Sequence, residues 1–193
     1  MDLTQGSFEE KNKRAKKMLL WFGIASLIMS FAGWTSAFVV SRTRKDWLQD
    51  YELPQAFLWS ALIIIISSLT FILAKRALKS GNQKSTTVFL LVTLVLGLVF
   101  IFLQFNGFDE MIASGYNFTG PTSNITMTFI FLIAAVHIAH VVVGLISLVV
   151  VIINHLRNKY SSKNMLGLEL AATFWHFIDL LWIYLFLFLF FMK

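Results

Sequence analysis

The sequence of 193 residues has no cysteine, two prolines and only 13% charged residues. Without cysteine there is no disulfide, no thiolate-ligated zinc or iron–sulfur cluster and no thiolate nucleophile. Neither Pro54 nor Pro121 falls within an apolar run. No segment repeats with a period of about 20–50 residues, so a transporter built from inverted halves with broken helices is disfavoured. What is abundant is apolar: 58% of residues are hydrophobic, 20 of them phenylalanine, and the mean hydropathy is +0.74. Such a composition belongs to an integral membrane protein.

Five apolar runs, at about residues 18–40, 56–74, 87–105, 127–153 and 168–192, are each long enough to cross a hydrocarbon core of roughly 30 Å as a helix rising about 1.5 Å per residue. The fold class is therefore all-α, a polytopic membrane protein with a five-helix bundle. The domains are a polar tail over 1–17 and one transmembrane domain over 18–193. The first run is too long for the apolar core of a signal peptide and is followed by no small-residue cleavage site, so it is read as a retained span. Between Asn106 and Thr126 lies the longest loop, expected to be irregular and rich in turns because it holds Gly107, Gly115, Gly120 and Pro121.

The net charge of +6 reflects basic residues placed between the runs, which argues for membrane orientation and against nucleic acid as a partner. Counted on alternate sides, lysine and arginine divide twelve to four. The positive-inside rule then puts the N-terminus in the cytoplasm and the C-terminus outside. On the sparser side Arg42, Arg44, Lys45 and Trp47 follow span one, and their expected role is interfacial, beside lipid headgroups.

Ionisable groups inside the runs carry the chemistry. Span four reads VHIAHVVVG, with His137, His140 and Gly144 on one stripe. Two such imidazoles could ligate a metal or, across facing helices, a haem. Alternatively they are packing residues, each hydrogen-bonded to a neighbour that Gly144 lets approach closely. His155, at the end of the span, is read as interfacial. Span five reads GLELAATFWHFIDLLW and places Glu169, His176 and Asp179 in an otherwise uncharged run. An aspartate at mid-bilayer costs about 2.5–3.5 kcal/mol on insertion scales, so it must face protein. Matching depth makes His140 its expected partner and His176 the second choice. Spans two and three carry no charge and read as lipid-facing or packed apolar.

These two stretches resemble subunit III of the haem-copper respiratory oxidases. The family's H-x-x-H-V-x-x-G is met by His137, His140, Val141 and Gly144. Its final-helix motif is met by Gly167, Glu169, Ala171, Ala172, Trp175, His176, Phe177, Asp179 and Trp182. Gln104 and the FAGW of Phe31 to Trp34 extend the likeness more weakly. The resemblance implies an accessory subunit with no redox centre, no catalytic residue and no metal ligand of its own. Haem and copper would belong to partner subunits, and O₂ reduction to water would take place in subunit I. Subunits I and II and bound phospholipid are the implied partners, and the bacterial cytoplasmic membrane is the implied location. Related chains accompany quinol oxidases and nitric-oxide reductases, and an independent di-histidine cytochrome is the reading from another class. Two departures stand out: the family's longer members have seven spans, and their membrane glutamate in the helix matching span one corresponds here to Leu27.

Overall fold

The computed structural model describes residues 7–48, 51–120, 123–161 and 164–192. They form five helices: α1 (Phe8–Ser41), α2 (Gln55–Lys79), α3 (Gln83–Ala113), α4 (Ile125–Leu156) and α5 (Leu166–Phe191). Each is long and apolar enough to cross a membrane. At 34 residues α1 is the longest, about 51 Å, so its first turns stand clear of the hydrocarbon. The polar stretch before span one is thus helical from Phe8. It starts at a capping box, in which Ser7 Oγ accepts from the Glu10 amide and Glu10 Oε2 accepts from the Ser7 amide.

Short connections set the neighbours. Gly81, at φ 80°, ends α2 in the left-handed conformation that favours glycine. Asn82 follows at once, and its side chain accepts from the Ser85 amide to start α3. Helices α2 and α3 therefore form a tight antiparallel hairpin. Asn124 caps α4 in the same way, through the Thr126 amide. Contacts run α2 to α3, α3 to α4, α4 to α5 and α5 back to α2, closing a four-helix ring, and α1 lies against the α4–α5 side.

The expected irregular loop is shorter than the sequence suggests, because α3 continues helically through Ala113. Packing accounts for the extension. Phe57 sits where a side chain on Gly107 would be, Phe108 lies against Phe57 and Phe131, and Met111 is buried. Helix α3 thus gains an apolar anchor beyond the bilayer boundary despite Asp109 and Glu110 near its C-terminus, where the macrodipole disfavours acids.

The segment after α1 folds over the ends of α4 and α5. Trp47, expected at headgroup level, is turned inward: it is 9% exposed and packs edge-on to Phe38 at 4.8 Å. The Leu48 amide donates to Thr126 Oγ1, Asn124 Nδ2 to the Asp46 carbonyl, and Tyr51 Oη to the Leu189 carbonyl at 3.1 Å. Burial raises the Tyr51 phenol to about 12, with Arg42 opposing the shift. Arg44 and Lys45 are exposed. Arg44 holds Asp46 through two 2.9 Å bonds, which lower the carboxyl and raise the guanidinium. Arg42 reaches Met192 Sδ.

Candidate functional site

Helix α5 supplies the axis of the bundle. Its apolar face brings Trp175 and Trp182, seven residues and nearly two turns apart, onto one stripe. Each ring is at most 1% exposed, and each indole N–H finds a serine on α2: Trp175 Nε1 donates to Ser67 Oγ at 3.1 Å, and Trp182 Nε1 to Ser60 Oγ at 3.0 Å. Ser60 and Ser67 are themselves seven apart, the register that two antiparallel helices need. Next to the Ser67–Trp175 bond, His176 Nδ1 and Ser68 Oγ lie 2.6 Å apart. Span two is therefore not merely apolar; it is the polar partner of the motif-bearing helix. The matching seven-residue spacing of Ser60 and Ser67 was the available signal.

Around Trp175 the ring is closed by glycines. A Cβ on Gly97 of α3 would lie 2.8 Å from the indole, and one on Gly144 of α4 would lie 2.8 Å from Ile178 and 3.2 Å from Trp175. Both distances are impossible or very tight for real side chains, so these glycines let α3 and α4 reach α5. Gly144 thus does what the packing reading of its stripe expects. Gly167 has a local role, since a side chain there would collide with the Tyr160 hydroxyl at the start of α5.

Two turns on, Trp182 meets all three neighbours. Phe57 and Phe100 present their edges at 5.5 Å, and His137 stacks on the indole at 5.0 Å and 28°. Ser60 accepts a second bond, from Gln104 Nε2 at 2.7 Å, and donates to the Phe57 carbonyl. Its hydroxyl is thereby fully used.

The histidines separate. His137 is fully buried with neither ring nitrogen hydrogen-bonded, enclosed by Trp182, Phe100 and Phe31. His140 donates from Nδ1 to its own Val136 carbonyl at 2.7 Å and meets Phe31 of α1. Among the described residues no three His, Cys, Asp or Glu side chains gather into a metal-ligand group. His155, in the last turn of α4, is packed inside the bundle. It is 3% exposed and donates from Nε2 to Thr87 Oγ1 and the Gln83 carbonyl of α3, the only sense open once the Thr87 proton points at that carbonyl.

The expected pairing of Asp179 with His140 is not formed, because His140 turns toward α1. Asp179 instead lies on the α2 side of α5, between the two tryptophans, 2% exposed, with neither oxygen hydrogen-bonded. The second choice, His176, is engaged by Ser68. Glu169 stands in the first turn of α5, where the helix dipole favours an acid, and pairs with Lys17 of α1 at 3.7 Å.

With this geometry the relatives can be set beside the chain. Residues 45–193 match the family model for cytochrome c oxidase subunit III. Span one, with its FAGW, lies outside that match, so the likeness is narrower than the sequence reading made it. The cytochrome c oxidase subunit 3 of Spodoptera frugiperda is 32% identical over 71% of this chain and 87% of its own length. That of Alkalihalophilus pseudofirmus is 32% identical over 65% and 60%. The cytochrome bo(3) ubiquinol oxidase subunit 3 of Pseudomonas aeruginosa is 30% identical over 70% and 63%. The match to the Pelomedusa subrufa protein spans 50% of that chain, so this chain covers only about half to two thirds of most of these relatives. The match over 45–193 includes α2 to α5, the closed ring that holds the two tryptophan layers, and the chain belongs to the cytochrome c oxidase subunit III family.

Proposed function

We propose that this chain is the accessory subunit III of a haem-copper terminal oxidase, seated on the catalytic subunit I in a bacterial cytoplasmic membrane, with subunit II in the same complex. Its N-terminus faces the cytoplasm and its C-terminus the opposite side, as the twelve-to-four division of basic residues supports. It holds no redox cofactor; haem and copper reside in the partners, and O₂ is reduced to water there. The chain sustains proton uptake, the stability of the complex, and access for O₂ and lipid. Bound phospholipid completes its surface, with Arg42, Arg44 and Lys45 as headgroup contacts.

One observation carries this reading. The motif of the last helix spends its functional groups on assembly: Trp175, His176 and Trp182 each bond to a serine of α2. His140 and His155 likewise commit a ring nitrogen to protein acceptors. Side chains so engaged build a scaffold rather than a reaction centre. A quinol-oxidising complex is the second reading, favoured by the similarity to a ubiquinol oxidase subunit.

Affinity purification of the chain from its native membrane in mild detergent tests the proposal. A haem- and copper-containing catalytic subunit should co-purify, and stripping the chain from that complex should shorten the number of turnovers sustained more than it lowers the initial rate. Recovery of the chain with a haem of its own, or with no oxidase subunit, overturns it. Assay with reduced cytochrome c against quinol separates the two readings.

A further inference from the structure

The first turns of α1 stand outside the hydrocarbon and carry charge that the bundle leaves unpaired. The apolar run of α1 starts at Met18, and Lys17 bridges to Glu169 of α5 at 3.7 Å, so this pair marks the hydrocarbon boundary on the face where both helices begin. Lys16 and Lys13 lie one and four residues further out, about 1.5 and 6 Å at the helical rise. That is within a headgroup layer about 5–8 Å deep on each side of the hydrocarbon. Both lysines are exposed, and neither has an ion-pair partner among the described residues. With Glu9 and Asn12 they form one wall of a cleft of about 400 Å³, whose other wall is Asn164 and Leu166 at the start of α5. Two lysines oppose one glutamate there, and the asparagine amides add neutral donors. Glu10 is committed to its capping box. The seam below the cleft is apolar. Leu166, Phe177 and Tyr184 are spaced by 11 and 7 residues, close to whole turns, so one face of α5 runs from the cleft to the groove opposite Ile28 and Ala32. Ile28 is 12 residues from Lys16, about 18 Å along the helix, and hence near mid-bilayer.

We propose that this cleft binds the headgroup phosphate of an anionic phospholipid from the leaflet at which α1 begins, with an acyl chain along the α1–α5 seam. The phosphate lies between the Lys13 and Lys16 ammonium groups, which donate charge-assisted hydrogen bonds to it, and the Asn12 and Asn164 amides serve the remaining headgroup oxygens. Position selects a lipid over a dissolved anion: the lysines sit at headgroup depth, and an apolar seam leads from them to the depth at which a tail of that leaflet ends. The site is at the opposite membrane face from Arg42, Arg44 and Lys45, and its α1 wall lies outside the residues that match the family. It needs only the membrane-spanning bundle, so its failure would leave the oxidase reading standing.

Native mass spectrometry of the purified protein, with its co-purifying subunits, titrated with phosphatidylglycerol, phosphatidylcholine or inorganic phosphate, tests the site. The dissociation constant for phosphatidylglycerol should rise about 25-fold in Lys13→Gln/Lys16→Gln, or about fivefold for each lysine, the usual attraction per basic residue at an anionic membrane surface. Lys13→Arg/Lys16→Arg should keep binding near the parental value. Lys79→Gln/Lys84→Gln removes the same charge from the same membrane face at the α2–α3 turn, where both lysines are exposed, and should leave binding nearly unchanged. Phosphatidylcholine should bind alike in all of these variants, and inorganic phosphate should not displace phosphatidylglycerol. The proposal is overturned if the cleft glutamines leave phosphatidylglycerol binding at parental strength, if both glutamine pairs weaken it equally, or if inorganic phosphate displaces the lipid.

Discussion

Helices α5 and α1 are both long apolar spans, yet the bundle holds them by different means. Helix α5 is fixed along its length, with two indoles and an imidazole hydrogen-bonded to α2 and glycines of α3 and α4 closing on its rings. Helix α1 is held mainly at intervals. Lys17 pairs with Glu169 near one end, Phe31 meets His137 and His140 in the middle, and Phe38 packs on Trp47 and Phe188 near the other. An open apolar groove separates Ile28 and Ala32 from Phe177, Leu180 and Tyr184. Interior position, rather than apolarity, divides the two: in an apolar 18-residue stretch of each, 39% of α5 residues are buried against 22% for α1. The family match begins after α1, on the same boundary.

Substitutions should expose that contrast. The largest effect is expected from Trp175→Ala, which removes the ring shared by α2, α3 and α4 and should cost about 3–5 kcal/mol, read as loss of the subunit from its complex in detergent. Gly144→Leu should follow, at about 1–3 kcal/mol from overpacking against Ile178 and Trp175, measured by thermal unfolding in detergent. The same leucine at Gly33 of α1, where nothing lies within 4 Å, should change unfolding little.

The loop after α1 gives a pH-dependent test. Tyr51 rises from its ordinary 10.0 to about 12 in the fold, so the fold favours the neutral phenol. Its contribution is complete below the unfolded value and is lost as pH climbs through the folded one. An alkaline transition between pH 10 and about 12 is expected in the parent and should be missing from Tyr51→Phe, as followed by tyrosinate absorbance and protease cleavage of the loop. The smallest effect belongs to Lys17→Ala. Its ion pair is half in solvent and should be worth at most about 1 kcal/mol, read as a minor shift in the thermal midpoint that salt reproduces.

Much of this was legible in the sequence, for identifiable reasons. Five runs of membrane-spanning length gave five helices, and Gly144 beside two histidines pointed correctly to a close approach. Neutral residues hid the rest. Ser60, Ser67 and Ser68 look unremarkable in an apolar run because a serine can satisfy itself on its own helix, and only their match to Trp182, Trp175 and His176 gives them meaning. Depth alone paired Asp179 with His140, but depth leaves azimuth open, and His140 faces α1. Trp47 and His155 lie at span ends, where polarity is cheap, so burial there came from loop and helix packing that no local pattern announces. Continuation of α3 past Asn106 depended on Phe57 finding Gly107, a contact about fifty residues apart in the chain.

The central claim is that the motif helix is bonded to α2 as a scaffold, and the Ser67–Trp175 bond offers its most direct test. A double-mutant cycle of Ser67→Ala and Trp175→Phe, read by thermal unfolding of the subunit in its complex, should give non-additive losses. The expected coupling is about 0.6 kcal/mol, the usual size for interhelical bonds in membranes, and up to about 1.7 kcal/mol. Strictly additive losses would contradict the account, because the indole and the serine would then contribute independently and α5 would be held by shape alone.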